Sequence, residues 1–194
     1  LIWNGKDFAR KKARKSAKIN KHLNGMSIIL ETERLIVREW TPDDAPALFE
    51  ICRDAEVMRY IGTGKPYETP DEAEKFLAWA VAYQQENGFC RWAVIEKESG
   101  KITGSCGYAY PHDTPEVELG YLFARDVWGK GFATEAARAV LDYGFEKLAF
   151  REIIAITDLE NTASQKVLEK IGFTRRGIEK ISGDEALIYL AKRF

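Results

Sequence analysis

Histidine and cysteine are scarce in this chain of 194 residues. The two histidines, His22 and His112, stand far apart, and the three cysteines, Cys52, Cys90 and Cys106, are odd in number and widely spaced. No CxxC pair occurs. This pattern argues against a zinc site and a disulfide framework and predicts three reduced thiols packed as small hydrophobes. Long apolar runs are also lacking, so no segment has the length of a membrane span. The N-terminus has no apolar stretch of the secretory kind, and the expected location is cytoplasmic. No charge sign dominates overall, with 29 basic and 30 acidic residues.

The small net charge hides an asymmetry. Residues 1–25 hold Lys6, Arg10, Lys11, Lys12, Arg14, Lys15, Lys18 and Lys21 against Asp7 alone, a charge of +7. With a net charge of −1 overall, the rest of the chain carries −8. The expectation is a basic extension over 1–25, either solvated or contacting nucleic acid or a ribosomal surface, followed by an acidic domain over 26–194. Met26 is a candidate natural start. A hydrophobic fraction of 45% supports a sizeable single core.

From Leu30 the chain reads as folded. Leu35–Trp40 has the character of a first strand. Thr41-Pro42-Asp43-Asp44 opens a helix with a hydroxyl cap, an early proline and acids in the first turn. Val57, Met58 and Ile61 continue a second short helical piece. Thr69-Pro70-Asp71-Glu72 repeats the helix-start pattern for a helix ending at Asn87-Gly88. Phe89–Glu96 and Ile102–Tyr110 flank a hairpin turn, and Val117–Phe123 is a further strand. An alanine-rich helix follows Gly131, then a buried strand over Glu152–Thr157. Asn161 caps a helix that ends at Gly172, and strands around Phe173–Ile181 and Ala186–Leu190 close the chain. Strands joined by both hairpins and helices imply a mixed sheet covered by helices.

Between Tyr121 and Glu135 an apolar run ends, two glycines bracket Lys130, and a helix begins. A strand, a glycine turn and a helix N-terminus leave backbone amides aimed at one spot, which suits phosphate. The P-loop pattern fails because Ala124 stands where its first glycine belongs and Gly131 follows Lys130. The dinucleotide fingerprint fails because Thr134 stands at its third glycine.

Three stretches then carry a resemblance. They are Glu118-Leu119-Gly120-Tyr121-Leu122, the run Trp128–Ala136, and the run Asn161–Phe173. In order and spacing they resemble the GNAT superfamily of acyl-CoA-dependent N-acetyltransferases, and most closely the Rim-type branch that acetylates ribosomal-protein N-termini. The resemblance covers nearly the whole chain from Leu30. It implies an α/β (α+β) fold with a mixed, mostly antiparallel central sheet of about six or seven strands and helices on both faces. It implies acetyl-CoA as co-substrate, no metal, and direct attack of a primary amine on the thioester. The acceptor is a protein N-terminus or, alternatively, a small amine such as an antibiotic or polyamine. A non-catalytic acyl-CoA-binding protein is a further alternative.

The resemblance also assigns residues. The superfamily's pyrophosphate loop, (Gln/Arg)-x-x-Gly-x-(Gly/Ala), falls on Trp128-Gly129-Lys130-Gly131-Phe132-Ala133, with Thr134 following and Trp128 departing from the pattern. Leu122 and Phe123 would pair with pantetheine through their backbone where the strand splays from its neighbour. Asn161 would cap its helix and touch the cofactor, and Ser164 would lie near the sulfur as a hydrogen-bond donor to the leaving thiolate. Glu118 is the candidate base, with Glu116 its rival on the same strand face. The acceptor walls are expected between Pro42 and Gln85, in the Gly62–Tyr67 loop and in the Pro111–Pro115 turn.

Overall fold

The computed structural model describes residues 21–23, 26–111, 115–181 and 183–193. Most of the basic extension, and His112, lie outside the described residues.

Nine strands form one sheet. In chain order these are β1 (Lys21–Leu23), β2 (Met26–Glu31), β3 (Leu35–Arg38), β4 (Arg91–Glu96), β5 (Ile102–Ala109), β6 (Glu118–Phe123), β7 (Glu152–Thr157), β8 (Thr174–Ile181) and β9 (Asp184–Lys192). Their order across the sheet is β1-β2-β3-β4-β5-β6-β7-β9-β8. Every neighbouring pair is antiparallel except β6 and β7. Five helices accompany them: α1 (Ala45–Cys52), α2 (Ala55–Met58), α3 (Pro70–Asn87), α4 (Phe132–Glu146) and α5 (Thr162–Lys170).

The mixed, mostly antiparallel sheet is as expected, but its strand count exceeds six or seven. The additional strands are β1 and β2. The Asn24-Gly25 pair just before Met26 is a hairpin signal that the strand reading left unused. The register of β2 comes from β3, through an irregularity between Ile28 and Leu30. Pairing of that kind is a tertiary decision, which periodicity does not record.

Helix boundaries follow local chemistry more closely. Thr69 and Glu72 form a capping box at the start of α3, and Gly88 closes it in the left-handed region at φ +78°. The helix expected from Pro42 is interrupted. Pro42–Asp44 is a 3-10 turn, and α1 starts afresh at Ala45 with Pro46 in its first turn. A proline has no N–H to bond back into the preceding turn, so the helix restarts around it.

The two sheet faces have different covers. Arg38 of β3 forms a bidentate pair with Asp44, with both distances 2.7 Å, and so ties one face to the start of α1. On the other face the Tyr108 hydroxyl donates to the Val140 carbonyl of α4. A side chain at Gly144 would meet that hydroxyl, so α4 sits close to the sheet through small residues. Trp92, Tyr108, Leu119, Ile153, Ala136, Ala137 and Val140 are buried between α4 and the strands. The core lies on both faces, since Leu48 of α1 and Ala73, Leu77 and Ala80 of α3 are buried on the other side.

Candidate active site

The parallel pair is where the sheet opens. β6 and β7 share a single registered pair, Glu118 with Ile154, supported by the bond from the Ile154 N–H to the Val117 carbonyl at 2.9 Å. Beyond it the strands diverge. Alternation along β6 directs the backbone of Val117 toward β7 and that of Ala124 toward β5, where its N–H donates to Thr103. By the same alternation the N–H groups of Tyr121 and Phe123 point into the gap, and that of Leu122 points to β5. Of the two residues expected to offer backbone to pantetheine, Phe123 faces the gap with its N–H, whereas Leu122 lines the cleft with its side chain.

A cleft of about 2400 Å³ runs through this gap. Its walls come from both faces of the sheet. Arg91, Ser105, Ala109 and Glu118 line it from the α3 side, and Tyr121, Phe132, Ser164 and Val167 from the α4–α5 side. The segments expected to wall the acceptor line this cleft: Gly62 to Tyr67, Phe76, Trp79 and Tyr83 of α3, and both Pro111 and Pro115.

At the α4 end, Gly129 and Gly131 adopt φ +77° and +82°. Those left-handed values, and not a lack of space, require glycine there. Gly131 is the N-cap of α4 and supplies no side chain to its amides. Gly129, Gly131, Phe132, Ala133 and Thr134 all line the cleft. The uncapped helix start suits a pyrophosphate. Lys130 turns the other way. It lines a separate shallow hollow with Arg34 and Lys97, and its carbonyl accepts from Arg34 Nη1 at 2.9 Å. Trp128 is 49% exposed, and its Nε1–H donates to the Phe123 carbonyl at 2.8 Å. It therefore ties the loop to the end of β6.

Behind the loop, Arg34 and Thr32 grip Glu135 of α4. Glu135 accepts from the Thr32 hydroxyl at 2.5 Å, the Arg34 N–H at 2.9 Å and Arg34 Nε at 2.7 Å. Burial pushes the Glu135 carboxyl up, but Thr32 and Arg34 together outweigh it and hold it below the usual carboxylate range.

Asn161 caps α5 as expected, accepting from the Ser164 N–H at 3.1 Å. Ser164 faces the cleft beside a residue that motif reading passed over. The Tyr121 hydroxyl lies 3.0 Å from Ser164 Oγ and 3.3 Å from the Ser164 carbonyl. Burial raises the Tyr121 phenol well above its ordinary value, so it stays protonated. The Tyr121 hydroxyl therefore fixes the position of Ser164 at the cleft wall.

Glu118 sits at the fork of the strands and is 3% exposed. Arg91 Nη2 donates to its Oε2 at 2.7 Å. Burial is the larger influence and Arg91 the smaller, so the carboxyl ends above the usual range in spite of the ion pair. Its rival Glu116 is bound to Arg176 of β8 at 2.5 and 3.0 Å and does not line the cleft. All three cysteines are buried, and burial pushes the Cys52 thiol up to about 12 and the other two higher. Such thiols make poor nucleophiles, in keeping with transfer that bypasses a covalent enzyme intermediate. Among the described residues no group of three His, Cys, Asp or Glu is placed to hold a metal ion, and no helix is long and apolar enough to cross a membrane.

A strand fork, a glycine-started helix and a serine-bearing helix around one through-sheet cleft form a distinctive arrangement, and residues 34–174 match the acetyltransferase (GNAT) domain family. The chain belongs to the GNAT acetyltransferase family. It is 33% identical over 151 residues to the uncharacterized N-acetyltransferase YoaA of Bacillus subtilis, covering 77% of this chain and 85% of that protein. It is 28% identical over 135 residues to the spermidine N(1)-acetyltransferase of Escherichia coli, covering 70% of each. The structure of RimL, a ribosomal L7/L12 alpha-N-protein acetyltransferase in complex with coenzyme A, shares the fold with a TM-score of 0.74, 17% identity, and coverage of 86% of this chain and 98% of that one. GNAT acetyltransferases move an acetyl group from acetyl-CoA to an amine.

Two contributors had no local signal. Arg91 reads in sequence as one residue inside the Phe89–Glu96 strand, and Tyr121 as one apolar residue in a run. Tyr121 lay inside the Glu118–Leu122 stretch, so the resemblance marked its neighbourhood without assigning it a role.

Proposed function

We propose that this enzyme acetylates the N-terminal amine of a protein, with Glu118 as the base and Ser164 as the donor to the departing sulfur. The observation that carries this reading is the position of Glu118. It is a buried carboxylate at the fork of β6 and β7, on the α3 side of a cleft whose α4–α5 side carries Ser164. An ammonium entering from the α3 side loses a proton to Glu118, directly or through a water. The neutral nitrogen then attacks the thioester carbon. The Phe123 N–H, facing the gap, donates to the carbonyl oxygen as negative charge develops there. As the tetrahedral intermediate collapses, the now cationic nitrogen gives up its second proton to water, the C–S bond breaks, and the Ser164 hydroxyl hydrogen-bonds the thiolate, which then takes its proton from solvent.

Several features support a cofactor seat made by Gly129, Gly131, Phe132, Ala133 and Thr134, with Trp128 bracing the loop and Asn161 ordering the start of α5. The width of the cleft favours an extended chain end as the acceptor. Its aromatic and acidic walls, Trp79, Tyr83, Glu72 and Glu86 among them, favour a cationic one. Those same walls, together with the likeness to a spermidine acetyltransferase, support a second reading in which the acceptor is a small polyamine.

A panel of short peptides with free N-termini and of di- and polyamines, assayed with acetyl-CoA by release of free thiol, separates the two. Turnover of peptides but not their N-terminally blocked forms supports the first reading, and turnover confined to polyamines replaces it with the second. Ser164→Ala should lower kcat about ten- to hundredfold, the worth of a hydrogen bond to a charged group, without weakening acetyl-CoA binding. An unchanged kcat removes Ser164 from the chemistry.

A further inference from the structure

Glu118 does not reach the cleft alone. Arg91 comes to it across the sheet, from β4 over β5 to β6. Cross-strand register places Arg91 opposite Gly107 and Gly107 opposite Gly120. Adjacent strands lie about 4.8 Å apart, so the arginine must pass over two strand positions. Both of those positions are glycine, but for different reasons: a Cβ on Gly107 would meet the β4 backbone at the Cys90 carbonyl and Arg91 Cα, whereas Gly120 lies under the guanidinium itself. A Cβ on Gly120 would stand 2.7 Å from Arg91 Cζ, 2.8 Å from Nη2 and 3.0 Å from Nε. The guanidinium therefore lies flat against bare backbone at Gly120 before it meets Glu118, two residues along the same strand. At its other end Arg91 is held by the Trp40 indole, whose Nε1–H donates to the Arg91 carbonyl at 2.6 Å.

The pair is asymmetric. Arg91 Nη2 occupies Glu118 Oε2, and Oε1 has no hydrogen-bond partner among the described residues. The Arg91 side chain retains 25% exposure where that of Glu118 retains 4%. A carboxylate bound at one oxygen keeps its orientation and leaves the other oxygen for a substrate.

We propose that Arg91, laid against the bare backbone of Gly120, is the positioning residue of this site: it holds Glu118 by Oε2 and turns Oε1 toward the acceptor amine. The proposal rests on the reading of Glu118 as the base.

The surroundings leave Arg91 as the charged partner of Glu118 among the described residues. From α3 comes the Tyr83 hydroxyl, which burial pushes up to about 12 and which accepts from the Tyr110 N–H at 2.8 Å. From β5 comes the Cys106 thiol, raised by burial. Tyr110 at the end of β5 stands beside Tyr83. Ile154 and Thr157 of β7 do not titrate, and Glu116 is engaged by Arg176. Because Arg91 favours the charged form of Glu118, removing it must move the carboxyl titration upward.

The test follows that titration by NMR in protein labelled with 13C at the glutamate carboxyls, the Glu118 signal being assigned by its loss in Glu118→Gln. In Arg91→Met the Glu118 titration is expected about 1 to 3 pH units higher than in the parent, the size of one close opposite charge. In Gly120→Ala it is expected to move the same way by less, because the new methyl displaces the guanidinium. Gly120 is outside the left-handed region, so this variant introduces no backbone strain and keeps the test intact if Arg91→Met fails to fold. A Glu118 titration unmoved in folded variants that still bind acetyl-CoA overturns the proposal. The base reading is checked separately with Glu118→Gln and the acceptor peptides. Turnover at the parent rate removes the premise whatever the titration shows, and a lost rate with an unmoved titration overturns the role of Arg91 alone.

Discussion

Two glutamate–arginine pairs bracket the cleft, and their chemistry runs in opposite directions. Glu135 and Arg34 sit behind the cofactor loop with a closest distance of 2.6 Å, and Glu118 and Arg91 sit on the acceptor side at 2.7 Å. Distance does not separate them. Glu135 is partly exposed and accepts from a hydroxyl, a backbone amide and a guanidinium, which together hold its carboxyl below the usual range. Glu118 is buried and has one donor, so burial wins and its carboxyl lies above that range. A carboxylate saturated with donors is a structural pin. A buried carboxylate with one oxygen left over has proton affinity to spare, which is what a base requires.

The largest expected effect breaks the comparison at its working end. Glu118→Gln keeps the shape and removes the proposed base, and kcat/KM should fall about 10²- to 10⁴-fold with acetyl-CoA affinity unchanged in a calorimetric titration. If Glu135→Gln loses as much kcat, the two carboxylates are not different in kind. The expected result for Glu135→Gln is smaller and of another type. The Lys130–Glu135 segment loosens, and KM for acetyl-CoA rises about three- to tenfold, the scale of one hydrogen bond, with kcat retained.

The smallest effect is in stability, and its sign is diagnostic. Glu135 has a depressed folded pKa, so its contribution to stability is present above the unfolded value and is lost as pH falls through the folded one. Glu118 has a raised folded pKa, so it costs nothing below the unfolded carboxylate value and becomes unfavourable as pH rises through the folded one. Denaturant melts across the acid range should therefore show the parent losing stability relative to Glu135→Gln on acidification. Relative to Glu118→Gln, the parent should lose it as pH rises. Slopes of the same sign would erase the distinction.

The two ends of the cleft were also unequally legible in the sequence. The loop announces itself because its requirements are local: Gly129 and Gly131 take left-handed backbone that few other residues adopt, and α4 begins at once. Asn161 and Ser164 are legible for the same reason, being joined by a cap three residues long. Glu118 was found through its stretch, but its partner was not. Arg91 lies 27 residues away, and only the register of three strands brings it across. The choice between Glu118 and Glu116 was equally hidden. Only the structure shows that Glu116 is engaged by Arg176, 60 residues further along the chain.

By itself, then, the sequence determined the caps of α3 and α5, the glycine loop with its uncapped helix start, and the order of motifs that marks the family. Those depend on backbone preferences and hydrogen bonds spanning a few residues, and such chemistry is written in neighbouring letters. The tertiary structure decided that β1 and β2 extend the sheet, that β6 and β7 part at Glu118, and that Lys130 faces away from the cleft. It also decided that one glutamate is a pin and the other keeps an open oxygen. Each of those outcomes depends on which distant strand or side chain arrives and on how much water it displaces, and burial is a property of the assembled fold.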